Sequence, residues 1–439
     1  MKILLIGSSG MLGQSLLKCT WAKQHEWVSV ARRIMIPNNQ LQLRPLSIDL
    51  NMPQLPEFWE AELEGVEVVI NCLGIIRETP HQSFSSLHHL SPEVIFKAAE
   101  KKGVRHIIQV SALGAEQATD KLFSHYHRSK KAADDVLKTL SVAHTTLYPS
   151  VILSPTGQST QLFLSLAALP VTSYPNIEAP LQPIAVEDVL ATIEKLIDTI
   201  AKKETCPEAL ILVGTTAVTL QTLLSLFKQA LGLPIFMIPV PLFLNMLLAE
   251  CGEWSTRIPF NREMLAMLKA GNASNDQYLP EWLGQPLTPL SVAIQKVVIP
   301  GSLVRVRFEY SCLHVGLVFI WCWTACMSLY NYTEGVTLMS QLSAHLPHTG
   351  IPEVLYPWAI VGGAALDAAV GLGIAFKKRQ ALWISLAVLL VYTVIITVGI
   401  PEWWLDPLGR VSKNIPIAMM TWVVLMNTPV TERNKRKLS

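Results

Sequence analysis

The sequence predicts an α/β domain with a doubly wound parallel sheet, followed by an all-α four-helix transmembrane bundle. Three observations predict it. The chain opens with a short apolar run that ends in Gly7-Ser8-Ser9-Gly10-Met11-Leu12-Gly13 and passes into a helical pattern. Further runs of strand length follow at Trp27 to Ala31, Val66 to Gly74 and Ile107 to Val110. Beyond Gly301, four long apolar blocks succeed one another with short polar segments between them. Composition agrees: of 439 residues 50% are hydrophobic and only 15% charged, whereas an average globular chain carries about 25% charged residues. Disorder is therefore excluded. A net charge of +2 leaves no broad basic face, so nucleic acid is not an expected partner.

Lys2 to Ile6 reads as a strand, and the glycines after it have mechanical roles. Gly7 permits a tight turn, Gly10 lets backbone approach a pyrophosphate, and Gly13 lets the next helix pack on the strand, with that helix's amino terminus attracting phosphate. Strand, glycine turn and helix in this order mark a dinucleotide-binding Rossmann unit. The turn from Gly7 through Ser8, Ser9, Gly10, Met11 and Leu12 to Gly13 is its phosphate-side candidate. The second strand ends in Arg32-Arg33, where an NAD site usually places an acid on the ribose diol. Two guanidiniums there favour a 2'-phosphate, so NADP is the expected cofactor, with NAD as the other choice. Solvated turn residues are the alternative. Ile48-Asp49-Leu50 closes a further strand, with Asp49 placed towards an adenine. Asn71-Cys72-Leu73-Gly74 ends the next, its glycine clearing space beside the cofactor.

Ile107 to Val110 delivers Ser111, and a segment from about Phe123 carries Tyr126 and Lys130, four positions apart. On a helix these two share one face, so an ammonium can lie beneath a phenol and the cofactor ribose. With Ser111 polarising the same substrate oxygen, the set suits acid/base work in hydride transfer to or from a carbonyl. An exposed helix pair is the default if Tyr126 and Lys130 stand alone. His125 and His127 read as solvated or core-edge residues. The seven cysteines form no CxxC pair and no zinc spacing, which points to a reducing compartment and no metal site.

The apolar blocks run roughly from Tyr310 to Asn331, Leu355 to Phe376, Ala381 to Ile400 and Ile415 to Thr428, the last of marginal length. Arg305, Arg307, Lys377, Lys378, Arg379, Arg433, Lys435, Arg436 and Lys437 fall on one side, against Arg410 and Lys413 on the other. The rule that basic loops stay inside then places the Rossmann domain and both termini in the cytoplasm, with four crossings of the cytoplasmic (inner) membrane. No export signal precedes Gly7. Gln229 to Ala249 is uncharged and apolar, but Pro234, Pro239 and Pro241 interrupt it. It reads as a core strand followed by a docking helix, with contact to the membrane surface left open.

Together these residues resemble the atypical short-chain dehydrogenase/reductase family, in the branch similar to the nucleotide-binding accessory subunit of respiratory complex I. The resemblance rests on Gly7 to Gly13, Asn71 to Gly74, Val110 to Gly114, Tyr126 to Lys130, Tyr148-Pro149-Ser150 and Gln182 to Asp188, and covers roughly Met1 to Lys296. It implies catalytic roles for Ser111, Tyr126 and Lys130, and cofactor contacts from Lys130, Pro149 and Ser150. Tyr148 stands where relatives often have Arg, and Ala185 where they often have His, so the substrate side departs from the pattern. Asp188 is either a cap on a helix Val189 to Ile200 or a substrate contact. The carboxyl-terminal blocks resemble the DoxX-like membrane family through Asp406-Pro407-Leu408-Gly409, Lys413-Asn414-Ile415-Pro416 and Asp367, an intramembrane acid expected in a relay or paired with His314 or Lys413. The expected division is 1–215 NAD(P)-binding, 216–300 substrate-side and connecting, and 301–439 transmembrane. The expected function is a membrane-anchored oxidoreductase acting on an apolar carbonyl or quinone-like compound, with the bilayer and that small substrate as partners. A nucleotide-binding scaffold or redox sensor of a membrane complex, a homo-oligomer, and an NAD-dependent epimerase or dehydratase are the competing readings.

Overall fold

The computed structural model describes residues 1–33, 41–118, 124–169, 171–254, 262–298, 302–345, 352–405 and 411–428. The chain divides into two compact units, one of Met1–Ala167 with Val171–Gly301, the other of Ala168–Pro170 with Ser302–Ser439. In the first unit the strands are β1 (Lys2–Ile6), β2 (Glu26–Ala31), β3 (Gln42–Ser47), β4 (Val68–Asn71), β5 (His106–Val110), β6 (His144–Pro149), β7 (Ile152–Leu153), β8 (Thr172–Pro175), β9 (Ile184–Ala185), β10 (Ala209–Leu212) and β11 (Met237–Val240). Its helices are α1 (Met11–Lys18), α2 (Pro56–Glu62), α3 (Ser91–Lys101), α4 (His125–Thr139), α5 (Gln158–Ala167), α6 (Val186–Ala201), α7 (Leu220–Ala230), α8 (Leu242–Trp254), α9 (Arg262–Ala270), α10 (Tyr278–Leu283) and α11 (Leu290–Val297).

Seven strands form one parallel sheet in the order β10-β6-β5-β4-β1-β2-β3. β1 lies inside the sheet because both its faces are apolar. Ile3 and Leu5 enter one core with Leu16, Trp27, Ile70 and Ile193. Leu4 and Ile6 enter another with Val28, Val69, Trp59 and Phe96. Helices must then cover both faces, which is what doubly wound means. Pro45 has no amide to give the ladder and is found on β3, the edge strand, where one is not needed. β3 ends at Ser47, so Ile48-Asp49-Leu50 lies just beyond that strand instead of closing it. A third core gathers Leu153, Phe163, Leu223, Phe227 and Ile294 from β7, α5, α7 and α11.

Asp188 does not cap its helix. Helix α6 already begins at Val186, and the Asp188 carboxylate accepts bonds from the Thr288 amide (3.0 Å) and hydroxyl (2.9 Å), tying the approach to α11 onto α6. The proline-broken apolar segment does contain a strand, β11, paired in parallel with β8. It is no core strand: Ile238 is 56% exposed, Pro239 is exposed, and none of its residues is buried.

The second unit holds α12 (Ser302–Tyr330), α13 (Tyr332–His345), α14 (Tyr356–Ala375), α15 (Arg379–Gly399) and α16 (Asn414–Asn427). Three helices, Tyr310–Tyr330, Glu353–Ala375 and Arg379–Gly399, are long and apolar enough to cross a membrane, and Asn414–Asn427 is a shorter apolar helix. α13 occupies the segment expected to be a loop after the first block. Asp367 is buried on α14, and its partner is the Tyr392 hydroxyl at 3.4 Å. His314 instead meets the Ile374 carbonyl at 2.9 Å, so the expected Asp367–His314 pairing is not formed. Residues 406–410 and 429–439, which carry the Asp406 to Gly409 motif, Arg410 and the basic tail, lie outside the described residues, as do the side chains of Arg305 and Arg307.

Candidate nucleotide and catalytic site

The strand order reverses between β1 and β4, and in open parallel sheets ligands bind at that switch, beyond the strands' carboxyl ends. The glycine turn sits there. Gly7 adopts φ +78°, and a Cβ on it would come within 2.9 Å of the Leu73 nitrogen. A Cβ on Gly13 would approach the Gly7 carbonyl oxygen to 2.5 Å, so α1 packs against the turn only because no side chain is present. Gly10 caps α1 in an extended conformation with no side-chain cap, which leaves the helix's first amides facing the turn.

An open cavity beside this turn is lined by Gly7, Ser9, Gly10, Arg32, Asp49 and Gly74, among others. The residues present therefore fit a dinucleotide: a backbone cradle a Cβ would fill, open helix amides and a guanidinium at the end of β2. Leu50 and Cys72 line the same cavity. Ala31, Ile48, Leu73, Ile75, Gln82 and Leu87 line it too, and single-sequence spacing did not point to their side chains. Several of the expected residues lie outside this lining. The Ser8 hydroxyl turns inward to the Val30 carbonyl at 3.2 Å, and Leu12 and Gly13 are buried behind the turn. Arg33 is exposed and outside the cavity lining. The Ser150 hydroxyl donates to the Gln182 carbonyl at 2.5 Å, and Pro149 ends β6, neither lining the cavity.

Ser124 caps α4 by accepting from the His127 amide, and the carboxylate of Glu263 on α9 accepts from the Tyr126 amide at 2.6 Å. These bonds hold the helix end that carries Tyr126. The phenol ring packs edge-on against Phe84, His88 and His127, and its hydroxyl has no hydrogen-bond partner among the described residues. Burial pushes it up to about 12, with Asp134 adding to the shift. One turn on, Lys130 is buried, donating to the Leu73 carbonyl at 2.8 Å and the Val110 carbonyl at 3.0 Å. Burial lowers the ammonium to about 8, opposed by Asp134. Gly74 makes room for it, since a Cβ there would lie 3.2 Å from Lys130 Nζ.

Ser111 is not presented as the spacing suggests. Its hydroxyl is 3% exposed and donates to Asp134 Oδ2 at 2.5 Å. Asp134 also accepts from Gln109, whose amide oxygen accepts from Asn71 Nδ2 at 2.8 Å, so Asn71 belongs to a buried polar network and not to the cavity wall. Burial raises the Asp134 carboxyl to about 6, against the stabilising bond from Ser111. Sequence reasoning missed Asp134, although it stands four positions after Lys130 and so on the same helix face. It also missed His88. A π-helical turn, Ser85–Leu90, directs this ring into the site, where Nε2 accepts from the Ile75 amide (3.0 Å) and Nδ1 meets Ser129 Oγ (2.8 Å). Burial and the nearby Lys130 hold His88 well below its usual value, so it is neutral. Among the described residues no cluster could hold a metal ion.

The family described as NAD(P)H-binding matches residues 7–173, and the DoxX-like family matches residues 318–422. A ceramide reductase from Caulobacter vibrioides is 27% identical over 199 residues, which are 44% of this chain and 59% of that protein, so the chain spans under two thirds of its curated relative. Three solved structures share the fold. A nucleoside-diphosphate-sugar epimerase from Staphylococcus aureus has a TM-score of 0.54 at 18% identity, covering 67% of this chain and 100% of that one. The Citrobacter triphenylmethane reductase scores 0.51 at 19% identity, covering 68% and 99%. The Escherichia coli NADPH-dependent quinone oxidoreductase, solved with NADPH, scores 0.51 at 17% identity, covering 68% and 100%. The chain thus joins an NAD(P)H-binding Rossmann domain to a membrane-associated DoxX-like domain.

Proposed function

We propose that this protein is a membrane-anchored oxidoreductase of the short-chain dehydrogenase type that uses NADPH to reduce an apolar carbonyl or quinone-like compound. The observation that carries the reading is the pairing, one helical turn apart on α4, of an unpartnered Tyr126 phenol with a buried Lys130 ammonium beside the glycine cradle. When bound, the nicotinamide supplies a hydride. Tyr126 gives its proton to the substrate oxygen, and Lys130 stabilises the phenolate left behind. In this reading Ser111 turns its proton from Asp134 to the substrate oxygen when the substrate binds. Arg32 reads the 2'-phosphate, with Arg33 beside it in sequence. The relatives' names, a ceramide reductase and an NADPH-dependent quinone oxidoreductase, support this substrate class.

In this reading α12, α14, α15 and the shorter α16 make four crossings, and the basic segments hold the Rossmann domain and both termini on the cytoplasmic side of the inner membrane. The protein purified in detergent should oxidise NADPH with at least one member of a panel of quinones and apolar aldehydes or ketones, and Tyr126→Phe should abolish it. A second reading, a nucleotide-binding scaffold, is favoured by one observation: the Ser111 proton and two of the Lys130 donors are already committed to internal acceptors. Tight nucleotide binding without turnover on any acceptor selects it.

A further inference from the structure

Among its described side chains, helix α8 is built inside out. It buries Asn245 (3% exposed) and Ala249 (0%), and exposes Phe243 (63%), Leu244 (41%), Met246 (53%) and Leu247 (59%). Asn245 faces inward because its side-chain amide donates to the Val240 and Pro241 carbonyls, at 2.8 and 3.2 Å. A helix facing water shows the opposite partition. The preceding β11 region continues the apolar surface through Ile235 and Ile238, and no charge occurs between Lys228 and Glu250.

α15, long and apolar enough to cross a membrane, likewise exposes large apolar residues, Trp383, Ile384 and Val391, while burying Ser385 beside Leu382 and Val388. Chain continuity points to the same occupant, since α12 of the membrane-associated domain begins at Ser302, five positions after α11 ends at Val297. At 13 residues, α8 is about 20 Å long, too short for a hydrocarbon core of about 30 Å but suited to lying in its surface.

We propose that the α8 and β11 surface rests in the lipid bilayer, forming an interfacial contact of the first unit beside its catalytic helix. The link to the site is short: α8 packs on α9, Arg262 Nε donates to Glu250 at 2.6 Å across their junction, and the adjacent Glu263 binds the Tyr126 amide. Taken with the proposed reductase activity, on which this route rests, a lipid-dissolved substrate enters beside Tyr126 without crossing water.

The test is photo-crosslinking in the full-length protein, reconstituted in phosphatidylcholine and phosphatidylglycerol nanodiscs. Phe243→p-benzoylphenylalanine and, separately, Leu247→p-benzoylphenylalanine are compared with Met52→p-benzoylphenylalanine, a position 72% exposed and remote in sequence. Mass spectrometry should find lipid adducts at 243 and 247 about tenfold above those at 52. Adducts confined to this chain's own peptides, adducts to a second copy, or equal lipid labelling at position 52 would overturn the proposal. Crosslinking needs no turnover, so lipid adducts in a protein inactive on every acceptor uphold this surface and retire the reductase reading alone.

Discussion

The two halves of the site are made of different material. On the cofactor side, backbone does the work: Gly7, Gly10 and Gly13 reserve space that any Cβ would fill, and the exposed Arg32 lies at its rim. On the catalytic side, side chains do it, and nearly every polar atom is already bonded, from Asn71 through Gln109 and Asp134 to Ser111. The first half depends on excluded volume and the second on hydrogen bonds and burial. Substitutions in the first should therefore act on nucleotide affinity, and those in the second on the chemical step.

The sharpest separation is expected from Tyr126→Phe, which removes the proton donor and keeps the ring packing. It should lower kcat by about 10² to 10⁴-fold while calorimetry shows nucleotide affinity nearly unchanged. Loss of affinity as large as the loss of rate would erase the division. Gly13→Ala should do the reverse: a Cβ 2.5 Å from the Gly7 oxygen forces α1 away from the turn, costing about 1–3 kcal/mol. Its nucleotide Kd should rise by at least about tenfold.

This contrast also explains what could be read from the sequence. A glycine turn is a local device, so its position and its packing against the helix after it were legible, as were the strands whose apolar runs it interrupts. The Tyr126 and Lys130 spacing was legible for the same reason. The Ser111–Asp134 bond joins residues 23 positions apart, and His88 meets Ser129 across 41; nothing in local spacing announces such contacts. His88 further depends on a π-helical turn that no periodicity marks. α13 lies in a segment that lacks a long apolar run, so no spanning pattern marks it. The strand boundary before Asp49 slipped because Ile48 and Leu50 continue the apolar pattern without continuing the ladder.

Smaller effects sharpen the comparison. Arg32→Ala should raise the KM for NADPH by about tenfold and leave that for NADH unchanged, the signature of a lost phosphate contact. A matching rise for both nucleotides would assign Arg32 a structural part. The pH profile tests the other half. Burial lowers Lys130 to about 8, so its ammonium is complete below that value and lost above it. Reductive kcat should then fall as pH rises through about 8, with kcat of a Lys130→Arg enzyme, if folded and active, holding to higher pH. Smallest of all for the chemistry is Asp188→Ala. It leaves the Thr288 amide without its acceptor and should cost about 1–2 kcal/mol, seen as a lower Tm, with KM and kcat near those of the native protein.

The order of elements along the chain has a consequence for biogenesis. β1 sits mid-sheet and waits for β2 and β4, and the sheet's far edge is closed only by β10 at Ala209–Leu212, yet all of these precede Ser302. The nucleotide domain is therefore translated in full before the first apolar helix emerges from the ribosome, and it can fold as a unit while the remainder is still being made. Membrane insertion then acts on a chain whose leading domain is already assembled, so a defect confined to the later helices should release a folded nucleotide binder, not an unfolded one.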